Sequence, residues 1–430
     1  MTAHRVDEFV AAISQPDAPA VFRDGLAAYA VDGLLPEVAV TVTHTDHVRL
    51  NLSEAQKHGL AVIPFGGGTH SGLGNVPTAY DIALSTVGLD RIIAHEPADM
   101  TVTVEAGVPL ATLQAVLAHH GQFLPLDPPG GGGATVGGVL AANAQGALRH
   151  AFGTARDWLI GVKVVQADGT LVKSGGRVVK NVAGYDMGKL YVGSLGSLGV
   201  IVEATFKLAP LPAAVAAIGV TCPSPHAAAM LLFAAHDAGL ALHAAELLSP
   251  AAGRAVLGDA RWSALVRVAG RARAVERTLR ELREIAGGLR ATYDLRDPAQ
   301  TARAWDDAFA PGALSLRVSV LPRSVAGAIE EMEAALGGAA ALLSSTLGAG
   351  LIRARVRPES DAEAGMLVGA VRDIAQRHDG ALVVEAAAPA VKRAIDVFGP
   401  ARPDFAIMRR LKQALDPSRT LAPGRFAGGL

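Results

Sequence analysis

The sequence predicts a two-domain α+β protein organised around a pair of anion-binding loops, and three observations predict it. The glycine-rich stretch Pro64-Phe65-Gly66-Gly67-Gly68-Thr69-His70-Ser71-Gly72 follows directly on Leu60-Ala61-Val62-Ile63, an apolar run that reads as a buried strand. A second glycine run, Gly130 to Gly133, leads into Ala134-Thr135-Val136-Gly137-Gly138 in the same half of the chain. Beyond Pro210 and Pro212 the composition changes to long Ala/Leu/Arg/Glu helices alternating with short strands, which marks a second α+β unit.

The elements follow in order. Val6, Phe9, Val10 and Ile13 recur at helical spacing and predict an opening helix. Val38-Ala-Val-Thr-Val-Thr reads as a strand and Asp46 to His58 as an amphipathic helix. Thr101-Val-Thr-Val-Glu is a strand, and Leu110 to His120 a helix closed by Gly121. Val162 to Val172 reads as a hairpin turning at Asp168-Gly169, and Val200 to Leu208 as a further strand. In the second half, Arg273–Ala286 and Ser324–Leu336 read as helices. The strands there are Leu265-Val-Arg-Val, Leu314 to Val320 and Leu351 to Val356. A short helix and the turn Ala422-Pro-Gly-Arg425 close the chain.

Composition narrows the function. Lys+Arg 39 against Asp+Glu 40 gives a net charge of −1, and only 4% of residues are aromatic, so a nucleic-acid partner has neither charge nor stacking platform. Cys222 is the single cysteine, which excludes internal disulfides and a cluster ligated by this chain alone. The acidic pair near the N-terminus and the lack of a long apolar run imply a cytoplasmic protein, at most docked on the inner face of the cell membrane.

Glycines in such loops let consecutive backbone N–H groups turn inward with no Cβ in the way, a nest suited to a diphosphate. Other nucleotide signatures are absent. No G-x-G-x-x-G follows a strand, and Gly193-Ser-Leu-Gly196-Ser-Leu-Gly199 has the wrong period. Gly184 to Lys189 fails as a Walker A loop, because Ala183 stands for the leading glycine and Leu190 for the Ser/Thr.

Four segments, 64–74, 125–145, 149–157 and 180–206, resemble the FAD-binding domain of the vanillyl-alcohol oxidase/PCMH superfamily. The resemblance rests on Pro64-Phe-Gly-Gly-Gly-Thr, on Leu126-Asp-Pro followed by Thr135-Val-Gly-Gly, on Phe152-Gly-Thr-Ala-Arg-Asp157, and on Gly184 to Glu203. Within the superfamily the chain looks most like the smaller FAD-binding subunits, the E type, of bacterial glycolate oxidases. The family's C-terminal Asn-Pro-Gly-basic signature survives as Ala422-Pro-Gly-Arg425 without its asparagine.

The resemblance implies a PCMH-type FAD domain over 1–212 (core about 31–210), an α+β cap over 213–399, and a segment 400–430 returning to the FAD domain. It implies that Pro64, Gly66, Gly67, Gly68, Thr69, His70 and Ser71 surround the FAD pyrophosphate, with Thr135, Gly137 and Gly138 opposite. Asp127, Gly153 and Ile201 complete the implied cofactor set. Thr69 aligns with the histidine that carries covalent FAD in some members and His70 lies one residue later, so noncovalent FAD is expected.

No metal is expected: His226, His236, His243 and His378 are scattered, and 378–388 lacks the second histidine and the asparagine of the family's metal segment. Catalytic candidates are Arg317 and Arg353, strand arginines able to meet a carboxylate, and Tyr185 with Lys180 from the FAD side. The implied function is that of an FAD-binding subunit oxidising 2-hydroxy acids such as glycolate. Its implied partners are a larger FAD subunit (D type) and an iron–sulfur subunit (F type) passing electrons towards quinone. The alternatives are a stand-alone 2-hydroxyacid dehydrogenase, a non-catalytic assembly subunit and a UDP-sugar reductase.

Overall fold

The computed structural model describes residues 2–14, 18–177, 185–337 and 341–430. Three larger sheets organise them, with a two-stranded one formed by Gln122–Phe123 and Ala209–Pro210. The first has four strands in the order Ala20–Phe22, Val38–Thr41, Ile82–Ser85, Val62–Phe65, with the last three parallel. Parallel strands need both faces covered, and the helices Thr2–Ile13 and Thr45–Lys57 cover one by burying Val6, Phe9, Ile13, Val48 and Leu52. The chain end adds to this sheet: Val62 N–H donates to the Thr420 carbonyl at 2.7 Å and Ala422 N–H to the Val62 carbonyl at 2.8 Å.

The second sheet is antiparallel, in the order Ile92–Glu96, Thr101–Glu105, Val200–Lys207, Leu159–Val165, Leu171–Gly175. Its last two strands form the hairpin expected at Asp168-Gly169, where Gly169 takes φ +83°. The helix Leu110–Ala118 packs Leu113 and Leu117 into this sheet's core, and Gly121 at φ +66° follows it.

The third sheet holds Arg317 and Arg353. Its eight antiparallel strands run Thr292–Arg296, Ala214–Thr221, Ser263–Gly270, Leu242–Leu248, Leu342–Thr346, Leu351–Val356, Leu314–Ser319, Ala381–Ala386. The sequence reading found three of these strands; the alanine-rich Ala214–Thr221 and Leu242–Leu248 escaped it because alanine carries little strand signal.

Strand alternation splits the residues between two faces. One face sends Val266, Leu316, Leu343, Ile352, Ala354 and Val384 under the helices Pro225–Asp237, Ala272–Gly288, Val325–Ala335 and Asp361–Arg377. The alternate positions Glu246, Arg267, Arg317, Ser344, Arg353 and Glu385 lie on the opposite face, where Arg353 reaches across to the Gln145 carbonyl of the first half. The period of two therefore gathers charge at the junction with the glycine loops. Among the described residues no helix is long and apolar enough to cross a membrane.

Candidate functional site

The strand Val62–Phe65 delivers the chain into the glycine loop. Its Phe65 carbonyl accepts the Thr86 N–H at 2.8 Å, which sets where the loop leaves the sheet. A Cβ on Gly66 would run into the Thr135 hydroxyl, and one on Gly67 into the Gly133 carbonyl, so the two glycine runs lie directly against one another. Among the described residues the N–H groups of Gly66, Gly67, Gly68, Thr69 and His70 meet no protein acceptor. Backbone donors are almost always paired when withdrawn from water, so such a row is a site for an anion.

The carbonyls just beyond are held from behind by two cations. Arg425 Nη2 donates to the carbonyls of Ser71, at 2.7 Å, and Leu73, and Lys392 Nζ donates to that of Gly72 at 2.9 Å. Lys392 is itself paired with Asp32 at 2.5 Å, with both side chains almost fully buried. Among the described residues Arg425 Nη1 is buried without a partner at the edge of the same cleft. Unpaired N–H groups, an unpaired guanidinium nitrogen and glycines that tolerate no side chain fit the pyrophosphate of FAD.

The predicted cofactor residues divide in two. Pro64, Gly66, Gly67, Gly68, Thr69, His70, Ser71, Thr135 and Gly138 line one cleft together with Leu195, Gly196 and Arg425. Gly137 does not line it. Its N–H donates to the Ala106 carbonyl at 2.7 Å, and a Cβ would meet Ala106, so this glycine serves close packing. Gly153 does not line it either. At φ +73° it closes the helix Arg149–Phe152, and Thr154 with Asp157 then caps the next helix. Ile201 sits in the strand Val200–Lys207 with its side chain in the second sheet's core.

Asp127 also points elsewhere. Its buried carboxylate accepts the N–H groups of Gly146 and Leu148, both at 2.9 Å, and so fixes the 145–148 turn. Burial pushes its pKa up to about 6, against the pull of those two donors and of Arg267 and Arg353.

The glycine-loop cleft continues past His70 and Ala142 into a charged end lined by Asn143, Gln145, Arg149, Arg317, Arg353 and Glu385. Arg317 and Arg353 are cross-strand partners, and Arg317 Nε donates to Glu385 Oε1 at 2.5 Å. Arg353 Nη2 donates to the Gln145 carbonyl, and its guanidinium lies 5.5 Å from the centre of the Trp305 ring. Behind it, Glu246 accepts the hydroxyls of Ser344 and Thr346.

Burial favours the neutral form of Glu385, but Arg317 and Arg353 outweigh it and hold the carboxyl below its usual range. Arg149 is held below the arginine range by burial and then by those same arginines. Three guanidinium groups that crowd one another around one carboxylate make a place for a second carboxylate. Burial likewise keeps His70 below its ordinary pKa, so its imidazole is neutral at pH 7.

Of the catalytic candidates, Arg317 and Arg353 meet in this cleft and Tyr185 does not. Tyr185 is 92% exposed and absent from the cleft walls. Lys180 lies outside the described residues. The sequence reading missed Arg149, Gln145, Glu385 and Lys392. The alternation of Leu314-Ser-Leu-Arg-Val-Ser against Ala381-Leu-Val-Val-Glu-Ala was the available signal for Glu385.

Comparison with known proteins agrees with this geometry. A family model described as an FAD binding domain matches residues 36–175, and one described as the C-terminal domain of FAD linked oxidases matches 211–426. The chain is similar to the glycolate oxidase subunit GlcD of Bacillus subtilis, 33% identical over 178 residues, 41% of this chain and 38% of that protein. It is 28% identical over 406 residues to the D-2-hydroxyglutarate dehydrogenase of Xanthomonas citri pv. viticola, 86% of this chain and 85% of that one. To the glycolate oxidase subunit GlcE of Escherichia coli it is 41% identical over 124 residues, 29% of this chain and 35% of that protein. The matches thus span well under half the length of the two glycolate oxidase subunits. Among solved structures, p-cresol methylhydroxylase shares the fold with a TM-score of 0.78 at 15% identity, over 98% of this chain and 96% of that one.

Proposed function

Because this chain belongs to the FAD-linked oxidases, with FAD as its cofactor, we propose that it oxidises the CH–OH carbon of a small 2-hydroxy acid such as glycolate. The observation that carries this reading is the charged end of the cleft. Arg149, Arg317 and Arg353 converge there beside His70, at the mouth of the loop suited to the cofactor's pyrophosphate. Bound noncovalently against Gly66 to Ser71, Thr135 and Gly138, FAD supplies the acceptor for the hydride from the α-carbon.

The chain's own residues do the rest. Arg317 and Arg149 bind the substrate carboxylate, and Arg353, braced by Glu246 and Trp305, keeps that end cationic. His70 takes the hydroxyl proton on its neutral imidazole, and Glu385 steadies the imidazolium that results. The cap sheet, set against the 142–145 segment, limits water at the reacting carbon.

We further propose that the chain is the E-type subunit of a glycolate oxidase-type complex. The stretch similar to GlcE supports this, and the partners would be a D-type flavin subunit and an F-type iron–sulfur subunit that delivers electrons to quinone. In this reading the protein works in the cytoplasm at the inner face of the membrane. A second reading, a stand-alone 2-hydroxyacid dehydrogenase, is favoured by the arginine cluster and by the match along most of a D-2-hydroxyglutarate dehydrogenase.

The test is an anaerobic visible spectrum of the purified yellow chain with excess glycolate, D-lactate or D-2-hydroxyglutarate. Bleaching by the chain alone supports oxidation here and favours the stand-alone enzyme. Bleaching only after the D-type subunit is added supports the complex. A flavin that stays oxidised in both experiments overturns the proposal.

A further inference from the structure

A second cavity, of about 320 Å³, lies between the helix Leu110–Ala118 of the flavin half and the helix Pro298–Phe309 of the cap. It shares no lining residue with the flavin cleft; the loop from Asp127 to Gly131 separates them, with Pro128 facing this cavity and Pro129 the other. We propose that this interdomain cavity binds an amphipathic monocarboxylate, an aromatic or branched aliphatic acid, with Arg267 as its anion anchor.

The walls are mainly apolar, built from Leu110, Leu126, Leu148, Leu265 and Trp305. Such a volume with few polar groups is typical of a small-molecule site. The polar groups decide the ligand's charge. Asp127 is committed to the N–H groups of Gly146 and Leu148, and Glu246 to the hydroxyls of Ser344 and Thr346. Asp306 accepts the Gly130 N–H at 2.8 Å, which ties the cap helix to the partitioning loop.

Arg267 is the exception. It projects from the middle of the strand Ser263–Gly270, is half-buried, and donates no hydrogen bond to a protein acceptor among the described residues, although the Asp127 carboxylate on the same wall acts on it through space. A guanidinium on the wall of a mainly apolar cavity with no hydrogen-bonded protein acceptor favours a carboxylate. A second carboxylate on the ligand would face Leu and Trp surfaces or the committed acids, so a monoanion fits and a dianion does not.

The experiment is calorimetric titration of the FAD-loaded chain with phenylacetate and, separately, with its neutral analogue phenylacetamide, each with and without excess glycolate. Phenylacetate should bind at one site, unaffected by glycolate. Phenylacetamide and the Arg267→Leu variant should each weaken binding by about tenfold or more, the loss expected of one charge-assisted hydrogen bond. Ala302→Phe, which fills the cavity and leaves every charge in place, should abolish binding while the flavin spectrum stays unchanged. No detectable binding, displacement by glycolate, equal affinity for the amide, or binding that survives Ala302→Phe would each overturn the proposal. Should Arg267→Leu fail to hold flavin, Ala302→Phe and the acid–amide comparison still decide it.

Discussion

Arg317 and Arg353 stand directly opposite one another on neighbouring antiparallel strands, and both guanidinium groups enter the cleft that begins at the glycine loop. Like charges at cross-strand positions repel, and among the described residues Glu385 is hydrogen-bonded to Arg317 alone, while Arg353 is opposed through space by Glu246 and Glu385. The pair therefore gains when an anion arrives. Arg317→Met should lower kcat/KM for a 2-hydroxy acid by about 10- to 100-fold, the worth of a hydrogen bond to a charged group. Arg317→Lys should recover part of that, since the charge stays and the planar fork is lost. Steady-state kinetics on both variants, with flavin content measured alongside, checks it.

Gly67 touches the Gly133 carbonyl so closely that no side chain can stand between the two runs. Gly67→Ala should push the loops apart and yield a chain that purifies without yellow colour, while its circular dichroism stays native. Retention of stoichiometric FAD would remove the loop pair from the cofactor site.

The neutral imidazole of His70 gives a pH prediction. Because burial keeps its pKa below 6.5, the acid limb of kcat/KM should fall below pH 6.5 in the native chain. His70→Gln should lose that limb and about 10²- to 10⁴-fold in rate, the usual contribution of a general base, with flavin still bound. An unchanged limb in the variant would assign the proton to another group.

Lys392 and Asp32 join the helix Pro389–Ala394 to the first half of the chain through a buried ion pair. Lys392→Met would strand a buried carboxylate and release the Gly72 carbonyl. It should cost about 3–5 kcal/mol of stability, the range for breaking such a pair. Pairing it with Asp32→Asn should restore part of the loss in a denaturant titration.

Asp127 titrates in the opposite sense to a salt-bridged carboxylate. Its folded pKa of about 6 lies above the ordinary 3.8, so the folded chain holds this proton more tightly than the unfolded one. Its contribution to stability is present below the ordinary value and is lost as pH rises through about 6. The melting-temperature difference between the native chain and Asp127→Asn should therefore shrink across that window and stay constant above it. A difference that widens would mean that the backbone donors at Gly146 and Leu148 outweigh burial.

The sequence by itself determined the glycine loops, the α+β class and about half of the strands and helices of the first half, because turn chemistry and hydrophobic period are local. It also supplied Arg317 and Arg353, since an arginine amid alternating apolar residues must face away from the core. The surroundings of each residue were set by packing. Gly137, Gly153 and Asp127 lie in the segments that resemble the cofactor motifs; in the structure the first packs on Ala106, the second closes a helix, and the third binds a turn. Arg149, Glu385 and Lys392 reach the site from segments far apart in the chain. Only the tertiary structure decided that, because a charge becomes functional through the groups that desolvate and oppose it, and those neighbours are not adjacent in sequence.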